Sequence, residues 1–177
     1  QIGADQTRSI IITMPSDRIH IVDGGAMPDV CVQHLVALAL VDGGVSFATS
    51  HDHDRMHDPA ILAVRNRIRM VASDELTAAV PARQAIVEIE LQDGRQVRHH
   101  AKAVRGTPDN PMTPDEIDAK ARDLVTPVIG ASGAEELVQL VGRLEGLRSM
   151  RELARVVNIV QSPVASGSSE GTASIDG

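Results

Sequence analysis

Residues 85–104, AIVEIELQDGRQVRHHAKAV, carry the pattern that decides the fold class of this chain. Apolar residues alternate with charged ones as far as Leu91, Asp93-Gly94 then supplies a turn, and a second alternating run follows. Alternation with a period of two is typical of strands that have one buried face. The segment therefore predicts an antiparallel hairpin.

The spacing of this hairpin also predicts the length of its loop. A two-residue loop would place Ile89 opposite Arg98, an apolar side chain against a charged one. A three-residue loop instead pairs apolar with apolar residues and sets Glu88 opposite Arg98 or His100. We therefore expect a three-residue loop with Gly94 in the left-handed backbone conformation.

The chain before the hairpin predicts another strand and a helix. Residues 9–14 are rich in β-branched side chains and end at a proline, which is typical of a strand. Asp29 is placed as the N-cap of a helix over residues 30–41, and Asp42-Gly43-Gly44 should end it. Because this helix is apolar on every side, we expect it to be buried all round.

Further helices are predicted from capping signals. Asp58-Pro59 opens a helix of about ten residues, with proline at its first position. The sequence Thr113-Pro114-Asp115-Glu116 has the form of a capping box ahead of a helix over residues 117–125. Two more helices are expected around residues 134–146 and 150–160, and the Ser/Gly-rich residues 161–177 are expected to be disordered.

Composition limits the classes of function. The chain has 177 residues and a formal charge of −7, from 24 acidic and 17 basic residues, which argues against a nucleic-acid partner. Cys31 is the single cysteine, so an intramolecular disulfide cannot form and a cytoplasmic location is expected. No run approaches the ~20 apolar residues of a membrane span, so no membrane association is expected.

Gln33 and His34 are the polar side chains in the otherwise apolar predicted helix. A buried polar group needs either a partner or a functional reason. One interpretation is a core histidine bonded to a nearby carbonyl oxygen. The other is an imidazole that faces a cleft, where its titration near neutral pH would be useful.

His51, His53 and His57 lie with Asp52 and Asp54 in one short loop. Imidazole and carboxylate together suit Zn, Ni, Cu or Fe, so a metal or substrate site is one interpretation. The spacing, however, matches no named metal motif, and polar residues are expected before a helix start. A solvated loop is the interpretation that we adopt, with metal binding as the alternative.

Five segments of the chain carry a resemblance to a known family. They are residues 10–15 (IIITMP), 33–44 (QHLVALALVDGG), 58–61 (DPAI), 87–95 (VEIELQDGR) and 106–120 (GTPDNPMTPDEIDAK). In this order they resemble the C-terminal half of the MmgE/PrpD family, which includes 2-methylcitrate dehydratase, cis-aconitate decarboxylase and iminodisuccinate epimerase. The last segment is the most specific of them.

The resemblance implies an α+β fold: a small lid domain with an antiparallel sheet and packed helices at residues 1–112. The C-terminal helices at residues 113–160 would return to an all-helical domain, and a tail follows at residues 161–177. In the family, the main acid/base residues belong to the helical domain, upstream of where this chain begins. The chain is therefore expected to be inactive without that domain.

The resemblance also implies a function. Members of the family act on small di- or tricarboxylates by moving a proton next to a carboxylate, which leads to dehydration, decarboxylation or epimerisation. The resemblance further implies a homodimer and no organic cofactor. In the decarboxylase branch a Gln-Tyr pair occupies the place of Gln33-His34, and its tyrosine faces the cleft from the lid. The resemblance therefore implies that the lid contributes His34, and with it Gln33, to the catalytic site. The rival hypothesis is a non-catalytic binding module or degenerate subunit, with metal at His51, His53 and His57.

Overall fold

The computed structural model describes residues 2–158, and the predicted tail at residues 161–177 lies outside them. The strands are β1 (Thr7–Pro15), β2 (Ile68–Ser73), β3 (Ala85–Leu91) and β4 (Gln96–Ala101). The helices are α1 (Ile19–Val22), α2 (Val32–Asp42), α3 (Phe47–Ser50), α4 (Pro59–Arg65), α5 (Asp74–Thr77), α6 (Pro114–Gly142) and α7 (Arg151–Asn158). Short 3₁₀ turns cover Asp54–His57 and Leu144–Gly146.

The four strands form one mixed sheet in the order β2-β1-β3-β4. β1 pairs antiparallel with β3, and β3 pairs antiparallel with β4. β2 pairs parallel with β1, with Ile68 opposite Ile10. The α+β class is thus confirmed, and the sheet has a parallel edge strand in addition to the predicted antiparallel ones. The predicted ten-residue helix that begins at Pro59 would have included Ile68 in its apolar stripe, and that assignment was wrong, because Ile68 begins β2.

The hairpin of β3 and β4 has the predicted register. Glu88 lies opposite Arg98, and the pair Leu91–Arg95 closes a loop of residues 92–94 through a backbone hydrogen bond of 2.8 Å. Gly94 has φ 86°, the left-handed conformation that a residue with a Cβ adopts only at a cost. The three-residue loop is confirmed.

The apolar core lies between the sheet and helices α2 and α4. Its buried members come from β1, α2 and α4, namely Ile10, Ile12, Ala37, Leu38, Ile61 and Val64. In α4 the carboxylate of Asp58 accepts a hydrogen bond of 2.8 Å from the N–H of Ala60, which confirms the predicted N-cap. The helix ends at Arg65, earlier than predicted.

Two predictions about α2 were wrong. Cys31, not Asp29, is its N-cap residue, and it makes no side-chain capping bond. Within α2 the buried side chains are those of His34, Ala37 and Leu38, so the helix is not buried on every side. A helix that covers one face of a sheet needs only one buried stripe. Its predicted end is confirmed, because Gly43 follows with φ 79°.

The described residues form two compact units, and the boundary between them along the chain lies between Ile117 and Asp118. The predicted boundary at residue 112 stays a prediction. The capping box that opens α6 is confirmed: the N–H of Glu116 donates to Thr113 Oγ1 at 3.3 Å. In return the N–H of Thr113 donates to Glu116 Oε2 at 2.7 Å.

Helix α6 is interrupted at Gly130, whose φ of 75° and ψ of 165° are not helical. By length and composition alone, α6 is long and apolar enough to cross a membrane. The break divides it into residues 114–129 and 131–142, each shorter than the ~20 residues of a span. The interruption also accounts for the two helices that the sequence predicts here.

Candidate functional site

His34 lies in the first turn of α2, and its side chain has no solvent-exposed area. Neither Nδ1 nor Nε2 of its ring has a hydrogen-bond partner among the described residues. Buried polar atoms are almost always paired, so an unpartnered imidazole calls for an explanation. The ring bonds to no carbonyl oxygen, and it does not reach an open cleft. Substrate contact by His34 stays a prediction.

The surroundings of His34 favour its neutral form. Burial lowers the pKa of the imidazole below its ordinary value of 6.5, because the charged ring loses hydration. The guanidinium groups of Arg65 and Arg55 lower this pKa further, while Asp52 has a smaller opposing effect. Near neutral pH the ring therefore has one nitrogen that can donate and one that can accept a hydrogen bond.

This lowered pKa predicts a pH dependence of stability. Below pH 6.5 the unfolded chain binds a proton at His34 before the folded chain does. The free energy of unfolding should therefore fall as the pH drops from 6.5 towards the folded pKa, by at most about 1.4 kcal/mol per pH unit. Above pH 6.5 this group should contribute no slope.

Urea unfolding of the 177-residue chain between pH 7.5 and pH 5 measures this effect. His34→Leu removes the group and should reduce the decline below pH 6.5. An identical pH dependence in the two proteins would show that His34 takes up its proton equally in the folded and unfolded chains.

The side chain of Gln33, in the same helical turn, is hydrogen-bonded to neighbouring residues. Its Oε1 accepts hydrogen bonds from the N–H of Gly24 at 3.1 Å and from Cys31 Sγ at 3.5 Å. Its Nε2 donates to the carboxylate of Asp23. The amide therefore ties the loop before α2 to the helix start, which is a structural reason for a polar residue here. A role of Gln33 towards substrate stays a prediction.

Arg55 organises a polar layer that the sequence analysis did not identify. Its Nη2 donates to both carboxylate oxygens of Asp42 at 2.6 and 2.7 Å, and its Nη1 donates to Asp58 at 2.8 Å. This arginine thus joins the end of α2 to the start of α4. Its Nε is buried without a partner among the described residues. The sequence signal was an arginine three residues before an N-cap aspartate.

Arg65 approaches the first turn of α2 from α4. Its Nη2 lies 3.7 Å from Cys31 Sγ, and its Nη1 lies 3.5 Å from the carbonyl oxygen of Met56. The contact with the carbonyl oxygen is long for a hydrogen bond, and neither acceptor is a carboxylate. Arg55 and Arg65 thus place positive charge near the His34 imidazole, and this charge disfavours protonation of the ring.

The histidines of the loop at residues 51–57 are not assembled into a metal site. The Nδ1 of His51 lies 2.9 Å from the carbonyl oxygen of Phe47, and the two rings pack with centroids 4.0 Å apart. Across residues 2–158, no three His, Cys, Asp or Glu side chains are grouped so that they could hold a metal ion. The structure gives no support to the alternative that His51, His53 and His57 bind metal.

Comparison with protein families shows what the chain is similar to. The family described as the MmgE/PrpD C-terminal domain matches residues 1–145, which include both His34 and the α2–α4 layer around it. No curated protein matches the chain.

Proposed function

The chain belongs to the MmgE/PrpD family, and from that premise we propose that it is the lid of an enzyme acting on a small di- or tricarboxylate. The reaction moves a proton on the carbon next to a carboxylate. Dehydration, decarboxylation and epimerisation share this step, and the proposal covers the step rather than one of the three outcomes. The family match over most of the chain supports it.

The observation that carries the role of the lid is the unpartnered imidazole of His34. A neutral imidazole can donate one hydrogen bond and accept another, so it can orient a polar group of the substrate. Burial and Arg65 keep the His34 ring neutral by lowering its pKa. Neither ring nitrogen is used by the described protein, so both are available for a substrate group or for a residue of the helical domain.

Contact between His34 and substrate requires a rearrangement, because the ring is enclosed. Closure of a lid over a bound substrate commonly completes a catalytic site and excludes water. In this proposal, closure moves the side chains that cover the first turn of α2. Gln33 then acts as a positioning residue, since its bonds to Asp23 and Gly24 hold the start of the helix.

The remaining parts of the proposal concern the complete protein. The acid/base residues that act with His34 belong to an all-helical domain, and the complete enzyme is a cytoplasmic homodimer that uses no organic cofactor. The protein is then a lyase or an isomerase, depending on which group leaves the carbon after the proton moves.

Solvent-proton exchange tests the shared step directly. The complete enzyme, with its helical domain, is incubated in D₂O with 2-methylcitrate, cis-aconitate or iminodisuccinate, and deuterium on carbon is followed by NMR. We expect enzyme-dependent deuterium incorporation into at least one of the three compounds or its product, or, for a dehydration, loss of a carbon-bound proton as the double bond forms. If the folded enzyme produces neither change in any of the three, the proposed reaction class is wrong.

A further inference from the structure

An open concavity lies at the end of the hairpin where β3 begins and β4 ends. It leaves about 700 Å³ of space, which is within the range of small-molecule sites. Its wall combines the hairpin with the loop that follows β4, and it includes Arg83, His100, Lys102, Arg105, Asp109 and Asn110. It is separate from the enclosed His34 ring.

Positive charge is concentrated at this concavity in a chain whose net charge is −7. Arg105 is paired with Glu116. Arg83 and Lys102, in contrast, have no ion pair with a carboxylate among the described residues. Asp109 is the one carboxylate among the lining residues. The concavity therefore holds two cations that can pair with an added anion.

The wall formed by the loop after β4 is held in place. Arg105 Nη1 donates to Asn110 Oδ1 at 2.8 Å and to the carbonyl oxygen of Pro111 at 2.6 Å. The amide of Asn110 donates to the carbonyl oxygen of Ala103 at 3.1 Å, and the N–H of Gly106 donates to the carbonyl oxygen of Asn110 at 2.8 Å. A site fixed before binding loses less entropy when a ligand arrives.

His100 is oriented by a buried side chain. Gln84 is 7% exposed, and its Nε2 donates to the carbonyl oxygen of Pro81 at 3.0 Å. Its Oε1 is therefore the acceptor at 2.8 Å from His100 Nε2, which must carry the proton of that bond. In the neutral ring Nδ1 of His100 is then an acceptor, which suits a ligand hydroxyl and not a carboxylate oxygen.

Arg83 has an unusual backbone conformation. Its φ of 67° is in the left-handed region, which residues with a Cβ seldom adopt. Strain of this kind persists where the surroundings fix it, and it is concentrated at functional sites. The conformation is maintained next to Gln84, whose side chain is buried. Arg83 thus lines the concavity from a position whose backbone is constrained.

We propose that this concavity is a binding site for a small di- or tricarboxylate, held by Arg83 and Lys102 as charge partners. The guanidinium of Arg83 can bind a carboxylate through two parallel hydrogen bonds, and Lys102 supplies a compact second charge. The choice of a carboxylate rests on the proposed function. The site itself goes beyond that function, because it assigns carboxylate binding to a second part of the lid, separate from His34.

Citrate is the probe that tests the site. In the ¹⁵N-labelled 177-residue chain, citrate should shift amide resonances of residues 83–85 and 99–105 in a saturable manner. Arg83→Gln and Lys102→Gln should each raise the Kd for citrate about threefold, and the double variant about tenfold, because exposed ion pairs are individually modest. Both side chains are exposed, so these variants should fold as the parent does.

Arg69→Gln is the matched control. Arg69 is an exposed cation on β2, at the opposite edge of the sheet, and it has no ion pair with a carboxylate among the described residues. Its loss should leave the Kd for citrate unchanged. The proposal is overturned if the double variant binds citrate as the parent does, or if Arg69→Gln weakens binding equally.

Sulfate separates a carboxylate site from a general anion site. It should bind at these residues more weakly than citrate, and equal affinity would overturn the assignment to carboxylates. This measurement is independent of catalysis. Absence of citrate binding would leave the deuterium-exchange result unaffected, and a failure of deuterium exchange would leave the measured citrate affinity unaffected.

Discussion

Ile61→Ala is expected to lower the free energy of unfolding by about 2–5 kcal/mol, the usual cost of such a truncation in a core. Ile61 has no exposed area and belongs to the cluster with Ile10, Ile12 and Leu38 that joins the sheet to α2 and α4. The truncation removes apolar contacts and leaves a cavity that the neighbours fill only in part. At roughly 2–4 °C per kcal/mol for a chain of this size, the Tm should fall by about 4–20 °C.

Leu62→Ala is the matched control for this truncation. Leu62 is the next residue in α4, but 38% of it is exposed, whereas Ile61 is fully buried. Alanine has the highest helix propensity, so the change costs the helix itself little. We expect a loss below about 1 kcal/mol. Equal losses for the two variants would mean that Ile61 is not at the centre of the core.

The hairpin was predicted in detail because its determinants are local. Alternation specifies which face of each strand is buried, and a one-residue change of register would set Ile89 opposite Arg98. Asp93-Gly94 supplies the turn chemistry in the same segment. The observed pairing of Glu88 with Arg98 follows from these two signals acting together. The capping box at Thr113 and Glu116 is equally local, and it too was predicted.

Strand β2 could not be predicted in this way. Its residues Ile68–Ser73 pair parallel with β1, from which four helices, α1 to α4, separate it along the chain. A parallel partner is determined by tertiary packing rather than by a nearby turn, and the short sequence IRMVAS has no turn signal before it. The single-turn helices α1, α3 and α5, of four residues each, are too short for helical periodicity to be visible.

For the candidate site, the sequence identified the residue, His34, but not its surroundings. An imidazole in an apolar helix marks His34 as unusual, but a sequence does not show which neighbours come close enough to bond it. The structure adds that both ring nitrogens are unpartnered and that Arg55 and Arg65 lie near. The same limit applies to Arg83 and Lys102, which line one concavity because Ala85 of β3 pairs with Ala101 of β4.

His34→Leu in the complete enzyme is expected to lower kcat/KM by about tenfold or more. Each 1.36 kcal/mol of lost transition-state stabilisation is about one decade in rate, and a hydrogen bond to a charged substrate group contributes about 1.5–3 kcal/mol. Leucine has a similar volume and no polar atoms, so it removes two unpartnered nitrogens from a buried position. An unpaired buried polar group costs about 1–3 kcal/mol, so the Tm of the variant should be unchanged or higher.

His20→Leu is the control for the loss of an imidazole as such, because His20 is an exposed residue of α1. Its kcat/KM should equal that of the parent enzyme. If His34→Leu alters the Tm but leaves kcat/KM at the parent value, the imidazole is a structural group of the lid and takes no part in the reaction. A tenfold loss of kcat/KM with the Tm maintained is the combination that only a role in catalysis produces, because a destabilised lid would lower both quantities together.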